Sequence, residues 1–168
     1  MATRILRPDL DGDKSEWTED PVGPAYAVVD DNVTTADTPT TGSDRITVAA
    51  TGKQNNLGHE TFTLGSRTVR RVTLYVYGKA VNGSNYYTLS FSAGGNALAT
   101  ANYTTGSFGW ASATYRGSLT QAQVDVLSSS CISTGTGALE IDALYLEVET
   151  KPCSPKRIGG RRRFIRHG

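Results

Sequence analysis

Residues 70–79, RRVTLYVYGK, form the stretch of sequence that decides the fold. Apolar and polar side chains alternate along it, and a period of two is typical of a β-strand with one face in the core. A helix would place its apolar side chains three or four residues apart. We therefore expect a strand with Val72, Leu74 and Val76 facing inward and Thr73, Tyr75 and Tyr77 facing outward.

Two further segments show the same alternation. Residues 85–93, NYYTLSFSA, follow the turn-forming sequence at 81–84, VNGS, and this arrangement predicts an antiparallel hairpin with the first strand. Residues 138–150, ALEIDALYLEVET, form the third strong strand candidate. Its polar face indicates an antiparallel sheet with one side in water. The predicted inward residues are Leu144, Leu146 and Val148, and the outward residues are Tyr145, Glu147 and Glu149.

Weaker strand candidates, separated by Gly-, Asn- and Thr-rich turns, complete an all-β fold. With the strong candidates they give about eight strands, the number expected of an antiparallel β-sandwich of jelly-roll type. One short helix is predicted at 119–127, where Thr120 can cap the N-terminus and Gln123 completes a capping box. The weaker strand candidates are residues 25–29, 45–50, 60–64, 97–103 and 110–119.

The charged residues are distributed unevenly along the chain. Residues 1–44 hold ten Asp or Glu against three Lys or Arg, whereas the last eighteen residues hold seven Lys or Arg and no acid. Opposite charges at the two ends suit partners with complementary patches, including further copies of the chain. We predict an N-terminal strand and acidic segment at 1–24, a β-sandwich domain at 25–150 and an extended basic C-terminal arm at 151–168.

The sequence contains few residues that suit catalysis. A nucleophilic Ser or Cys needs a neighbouring base, and the histidines are His59, in a Gly-rich turn, and His167, in the tail. Since no G-x-S-x-G motif is present, we interpret His59 as a solvated turn residue and expect neither enzymatic activity nor a cofactor. Cys131 and Cys153 are too few for a disulfide framework or a zinc site, so we expect free thiols.

Two acidic patterns leave alternatives open. Asp9, Asp11 and Asp13 alternate as Ca²⁺ ligands can, but a distal Glu is missing, so we favour a hydrophilic turn after a first strand at 3–7 over a metal site. Glu140 and Asp142 would share one strand face, as paired carboxylates for glycoside hydrolysis or, in the favoured interpretation, as a polar sheet surface.

Aromatic side chains could form a sugar platform or an interface, since Tyr and Trp suit surfaces with one wet edge. We expect about half of the candidates in the core of the sandwich, and Trp110 inside or at an interface. The candidates are Tyr75, Tyr77, Tyr86, Tyr103, Trp110, Tyr115 and Tyr145.

The basic tail admits three interpretations: it neutralises phosphates, docks on an acidic protein surface, or is a solvated end. Phe164 and Ile165 interrupt the arginines with apolar anchors, which phosphate neutralisation does not need. A protein-docking arm is therefore favoured over nucleic-acid binding. No apolar stretch has the length of a secretory signal or a membrane span, so we expect synthesis in the cytoplasm and no membrane partner.

The chain resembles small β-sandwich virion structural proteins encoded among the head and tail genes of tailed bacteriophages. The resemblance covers most of residues 3–149. It is carried by T-R-I-L-R-P at 3–8, an Asp-Gly pair, Trp17, A-Y-A-V-V-D-D at 25–31 and A-L-Y-L-E-V at 143–148. It implies a non-enzymatic capsid decoration (cement) protein. The alternative is a tail or fibre-associated subunit with a carbohydrate-binding β-sandwich.

For such a virion protein the partners would be the major capsid protein or other virion subunits. Further copies of the chain, with a trimer favoured, would also be partners. The location would be the virion, after synthesis in the host cytoplasm. The residues hypothesised to make protein contacts are Trp17, Lys156, Arg157, Arg161, Arg162, Arg163, Phe164 and Arg166.

Overall fold

The structure, a computed structural model, describes residues 1–20, 45–80, 86–103, 106–135 and 138–153. These ranges contain eleven strands and one short helix, α1 (Gln121–Val124). None of the helical structure in these ranges is long and apolar enough to cross a membrane. The strands are β1 (Ala2–Leu6), β2 (Pro8–Ser15), β3 (Thr18–Asp20), β4 (Arg45–Val48), β5 (Gln54–His59), β6 (Arg67–Ala80), β7 (Tyr86–Ala93), β8 (Asn96–Tyr103), β9 (Gly109–Tyr115), β10 (Leu127–Thr134) and β11 (Leu139–Pro152).

The strands form two antiparallel sheets. Sheet I has the order β3-β4-β11-β6-β9. The long strand β11 pairs with β6 along one edge, and with β4 and then β1 along the other. Sheet II has the order β2-β5-β10-β7-β8. The predicted antiparallel β-sandwich of jelly-roll type is therefore confirmed, and the predicted segment 1–24 contributes strands to both sheets.

The core lies between the two sheets and follows the predicted alternation. In β6 and β11, Leu74, Val76, Leu144 and Leu146 are at most 2 % exposed, whereas Tyr145 and Glu147, which alternate with them in β11, are half-buried. Burial of each such side chain contributes about 1.5–3 kcal/mol. Sheet II supplies the opposite wall with Tyr87, Leu89 and Phe91. The inward and outward faces predicted for residues 70–79 and 144–149 are confirmed.

The predicted hairpin between the first two strong strands is wrong. β6 pairs with β11 and β9 in sheet I, whereas β7 pairs with β10 and β8 in sheet II. Both edges of β6 are occupied, so β7 crosses to the other sheet. A turn signal such as Asn82-Gly83 marks a reversal of the chain but does not tell a hairpin from a crossover between sheets. That turn lies outside the described residues.

The strand predicted at 60–64 is also wrong, because the strand ends at His59. Asn55, Leu57 and His59 point inward in β5, and two of these three are polar, so the segment lacks an apolar alternation. Residues 60–64 make no strand pairing. Instead the side chain of Gln121 bonds to the backbone of this segment, accepting from Leu64 N–H at 2.7 Å and donating to the Phe62 carbonyl at 2.9 Å.

The acidic segment predicted as a turn is strand β2, which pairs irregularly with β5. The two register shifts in this pairing explain why Asp9 to Asp13 show no strand pattern. Within the described ranges, no three His, Cys, Asp or Glu side chains come together as a metal site would require.

The helix prediction is confirmed at its start. Thr120 accepts a bond from the Gln123 N–H, and the Gln123 side chain accepts one from the Thr120 N–H at 2.9 Å, which completes the capping box. The helix ends at Val124, and the chain enters β10 at Leu127. The candidate strand at 25–29 and residues 154–168 of the basic arm lie outside the described residues.

Candidate functional site

The outer face of sheet I carries a continuous patch of aromatic rings, which we call the aromatic face. Its position follows from the alternation of β6, where core residues separate Tyr75 and Tyr77 from each other and point the other way. The same alternation in β11 turns Tyr145 outward. The aromatic face consists of Tyr75, Tyr77, Phe108, Trp110 and Tyr145.

Strand register brings these rings together. Tyr145 of β11 pairs with Tyr75 of β6, and Tyr77 of β6 pairs with Trp110 of β9. Side chains opposite each other on one face of an antiparallel pair lie close enough to touch. Three neighbouring strands therefore contribute to one surface, and Phe108 extends it just before β9 begins.

The rings pack against each other in fixed orientations. Tyr75 and Tyr145 stack with centroids 5.0 Å apart, and the Trp110 ring stands edge-on to Tyr145 at 5.7 Å. Tyr77 lies 5.1 Å from Trp110 and stacks on Phe108 at 5.6 Å. Both stacked and edge-to-face contacts are favourable for aromatic rings. Each ring of the aromatic face is therefore packed against at least one other ring.

Exposure differs across the aromatic face. Trp110 is 42 % exposed and Tyr77 is 7 % exposed, while Tyr75, Phe108 and Tyr145 are half-buried. Of the two positions expected for Trp110, the one inside the sandwich is wrong, because β9 turns Ala111 and Ala113 to the core and Trp110 outward. A position at an interface stays a prediction. Among the other aromatic candidates, Tyr103 is buried.

Ion pairs border the aromatic face at both ends. At one end, Arg71 contacts both Glu147 and Glu149. At the other end, Glu140 pairs with Arg45 at 3.0 Å and with Lys79 at 3.1 Å. The Lys79 ammonium also lies 4.8 Å from the centroid of the Phe108 ring, a cation–π contact. These groups supply hydrogen-bond donors and acceptors around an apolar centre.

The hydroxyls of Tyr75 and Tyr145 stay protonated at neutral pH, because the pKa of each is raised. Burial, and then the negative charge of Glu147, raises the pKa of Tyr75 above its ordinary value. Burial likewise raises the pKa of Tyr145, with further contributions from Tyr75 and Glu147. Both hydroxyls can therefore donate hydrogen bonds as well as accept them.

The aromatic face and its polar border together can hold a ligand that has both apolar and hydroxylated faces. Ring planes offer dispersion contacts to flat C–H surfaces, and the neighbouring hydroxyl, carboxylate and guanidinium groups offer hydrogen bonds. Binding sites for small ligands share this pattern of aromatic lining with a few placed polar groups.

The paired carboxylates considered from the sequence do not come together. Glu140 lies on the outer face, but Asp142 is the extra residue of a bulge between Ile141 and Ala143 and is completely buried. The expectation that the two share a strand face is wrong, because the bulge shifts the alternation by one residue.

His59 is not a solvated turn residue. It is 4 % exposed at the end of β5, its Nε2 lies 2.9 Å from the Ser129 hydroxyl, and its Nδ1 lies 3.3 Å from the Leu6 carbonyl. The carbonyl can only accept, so Nδ1 carries the proton and Nε2 accepts from Ser129. Burial lowers the pKa of His59 to about 4. Ser129 is 1 % exposed, so this Ser–His pair is closed to substrate.

The residues predicted for protein contacts are mostly outside the described ranges. Trp17 is the exception. It is 3 % exposed, its indole N–H donates to the Lys53 carbonyl at 3.1 Å, and its ring stands edge-on to Tyr87. Its role in contacts with another protein, and that of Lys156, Arg157, Arg161, Arg162, Arg163, Phe164 and Arg166, stays a prediction.

Comparison with solved structures agrees with this architecture. The chain is similar to the C-terminal CBM6 of the laminarinase LamC from Zobellia galactanivorans, with a TM-score of 0.51, 9 % identity, and 88 % of this chain and 98 % of that chain covered. At this identity the similarity shows the fold alone.

Two other solved structures are similar to the chain at lower TM-scores. One is a carbohydrate-binding module of Cellvibrio mixtus lichenase 5A in complex with cellotriose, with a TM-score of 0.48, 12 % identity and coverage of 87 % and 95 % of the two chains. The other is the Stig cyclase Fisc from Fischerella, with a TM-score of 0.45, 13 % identity and coverage of 68 % and 66 %. No protein-family model matches the sequence, and no curated protein matches it significantly.

Proposed function

We propose that the protein is a carbohydrate-binding β-sandwich that holds glycans on the aromatic face. The observation that carries the proposal is the run of five contacting rings across β11, β6 and β9, with Trp110 the most exposed of them. An exposed aromatic patch with a polar border is a common sign of a binding surface.

The shape of the surface favours an extended ligand over a single ring. The rings lie on three adjacent strands, and neighbouring strands in a sheet are about 4.8 Å apart. The ring centroids of Tyr145, Trp110, Tyr77 and Phe108 follow one another at 5.7, 5.1 and 5.6 Å, so the row of contacting rings extends beyond one sugar unit. A chain of sugars crossing the strands would contact several rings in turn.

The charges around the surface favour a neutral glycan. Three cationic side chains and three carboxylates border the aromatic face, and each cation is paired with an acid. No net charge is left to select an acidic sugar. The ion-paired groups remain able to bond to sugar hydroxyls through their free donor and acceptor positions.

A glycan array followed by calorimetry tests the proposal. The intact chain should bind neutral oligosaccharides, and Trp110→Ala should weaken binding by about 1–3 kcal/mol, or roughly 5- to 150-fold in Kd. Tyr145→Ala should weaken binding as well. Tyr86→Ala provides the matched control, because Tyr86 is a half-buried tyrosine on the outer face of sheet II. Silence of the array, or equal losses in all three variants, would refute the proposal.

The second candidate is a virion structural role, supported by the resemblance of residues 3–8 and 143–148 to bacteriophage β-sandwich proteins. The two roles combine in a tail or fibre-associated subunit that binds glycans. A capsid decoration protein would instead be present in hundreds of copies. Quantitative electrophoresis of purified virus particles separates the tail or fibre subunit from the capsid decoration protein by copy number. Absence of the chain from the particles would remove both of these virion roles. The absence of enzymatic activity stays a prediction.

A further inference from the structure

A concave surface lies on sheet II, and its lining shares no residue with the aromatic face. It is a cleft of about 460 Å³, within the range of volumes found for ligand pockets. Leu10 stands beside Gly58 of the neighbouring strand on one side, and Val126 stands beside Gly94 on the other. The small residues Gly58 and Ser128 leave the space between these two apolar side chains open.

The cleft is lined by exposed apolar side chains and by acidic residues. Leu10 is 63 % exposed and Val126 is 50 % exposed, and large hydrophobic side chains with such exposure are few in the described part of the chain. The charged residues of its lining are Asp9 and Asp125. His59 also lines the cleft, but burial lowers its pKa to about 4, so it adds no positive charge at neutral pH.

An apolar cleft with acidic borders fits a basic segment that carries apolar side chains. Residues 154–168 of this chain have that composition: they hold six Lys or Arg and no acid, and Phe164-Ile165 sits between Arg163 and Arg166. Long-range attraction between opposite charges would bring such a segment to the cleft, and burial of apolar surface would hold it there.

The distance from the start of this segment to the cleft has an upper limit that the chain itself sets. Cys153 donates its backbone N–H to the Ser66 carbonyl at 2.9 Å. Ser66 is five residues from Thr61, which lines the cleft, and five residues span at most about 18 Å. The eleven residues from Cys153 to Phe164 can extend to about 40 Å, so the segment is long enough to reach the cleft of its own molecule.

We propose that residues 154–168 dock into this cleft of the same molecule. Phe164 and Ile165 insert between Leu10 and Val126, and the neighbouring arginines face Asp9 and Asp125. The docked segment covers the exposed apolar side chains of sheet II and leaves the aromatic face free. The contact is salt-sensitive, because exposed charges are screened within about 8 Å at physiological ionic strength.

Paramagnetic broadening in the full-length chain tests the docking. A spin label is attached at Gly160→Cys in a Cys153→Ser background; Cys131 is buried and does not compete for the label. The backbone amide signals of Leu10, Gly58 and Val126 should lose most of their intensity. Loss of intensity elsewhere instead, or nowhere, would overturn the proposal.

Three variants check the chemistry of the contact. Asp9→Asn with Asp125→Asn should restore the signals of the cleft, and so should Leu10→Ser, which changes an exposed side chain. The matched control is Glu16→Gln with Glu19→Gln, which removes the same charge outside the cleft and should leave the broadening intact. Equal behaviour of the two double variants would contradict the assigned contacts.

A mixing experiment identifies the molecule that supplies the segment. Isotope-labelled chain without a spin label is mixed with unlabelled chain that carries one. The proposal predicts no broadening in the mixture. Broadening of the cleft signals there would mean that the segment comes from a second copy, and docking within one molecule would be wrong.

Discussion

Acid should destabilise the fold through His59. In the unfolded chain a histidine has a pKa of about 6.5, whereas burial lowers the pKa of His59 in the folded state to about 4. Between these values the unfolded chain binds a proton that the folded chain excludes, so stability falls as pH falls. The contribution of neutral His59 to the free energy of unfolding is complete above pH 6.5 and is lost by about pH 4.

The size of this effect follows from the two pKa values. One unit of difference corresponds to about 1.36 kcal/mol, so a shift of about 2.5 units corresponds to about 3 kcal/mol. That is a large part of the 5–15 kcal/mol that holds a typical domain together. The slope between pH 6.5 and 4 should approach 1.4 kcal/mol per pH unit from this residue alone.

Urea unfolding at a series of pH values measures the effect, with His59→Gln as the reference variant. Gln can still accept the bond from Ser129 but does not titrate, and carboxylates contribute equally to both proteins. The stability difference between them should shrink by about 3 kcal/mol from pH 7 to pH 4. Parallel stability curves, or an NMR titration that gives His59 an ordinary pKa, would refute the reasoning.

Three further predictions concern single residues. Gly78→Ala should cost about 1–3 kcal/mol or more, because the new Cβ would collide with a backbone carbonyl oxygen of β11. Gly106→Ala should change stability by less than about 0.5 kcal/mol, because the new Cβ would meet only the Ala80 carbonyl oxygen, at 3.8 Å. Urea unfolding compares the two variants. Thr120→Ala should cost about 1 kcal/mol by removing the helix cap, and Thr120→Ser should retain most of it, as thermal unfolding will show. Burial raises the pKa of Cys131 to about 12, so a thiol reagent should modify Cys153 in the folded protein and Cys131 only after unfolding; rapid modification of both would contradict the structure.

The parts of the fold that sequence predicts well are those where hydrophobicity alone sets the pattern. In β6 and β11, large apolar side chains occupy every inward position over several residues, so the alternation identifies both the strand and its faces. The outward tyrosines of the aromatic face could therefore be predicted. The helix cap at Thr120 could be predicted equally well, because the residue that completes it, Gln123, is three positions away in the sequence.

Two of the strands that sequence reasoning missed, β5 and β10, have polar residues in the core. In β10 the inward positions include Ser129 and Ser133, and in β5 they include Asn55 and His59. Three of these residues are stabilised by distant partners: Ser129 bonds to His59, and Ser133 bonds to the Ala50 carbonyl at 2.6 Å. Because these partners are 70 to 83 residues apart in the chain, no local sequence pattern indicates that the polar residues are buried.

The composition of the aromatic face was only partly predictable for a related reason. Alternation shows that Trp110 points away from Ala111 and Ala113, but only the register of β9 against β6 places it opposite Tyr77. Register is set by the packing of the whole sheet. The separation of the Glu140 and Asp142 carboxylates was also not predictable, because it results from a β-bulge for which the local sequence contains no motif.

The central claim, glycan binding on the aromatic face, is tested most directly by the indole N–H signals of the two tryptophans. The glycan that binds best on the array is titrated into labelled protein, with buried Trp17 as the internal reference for exposed Trp110. The account predicts a saturable shift of the Trp110 signal and none of the Trp17 signal. A Trp110 signal that stays fixed while the glycan binds would contradict it.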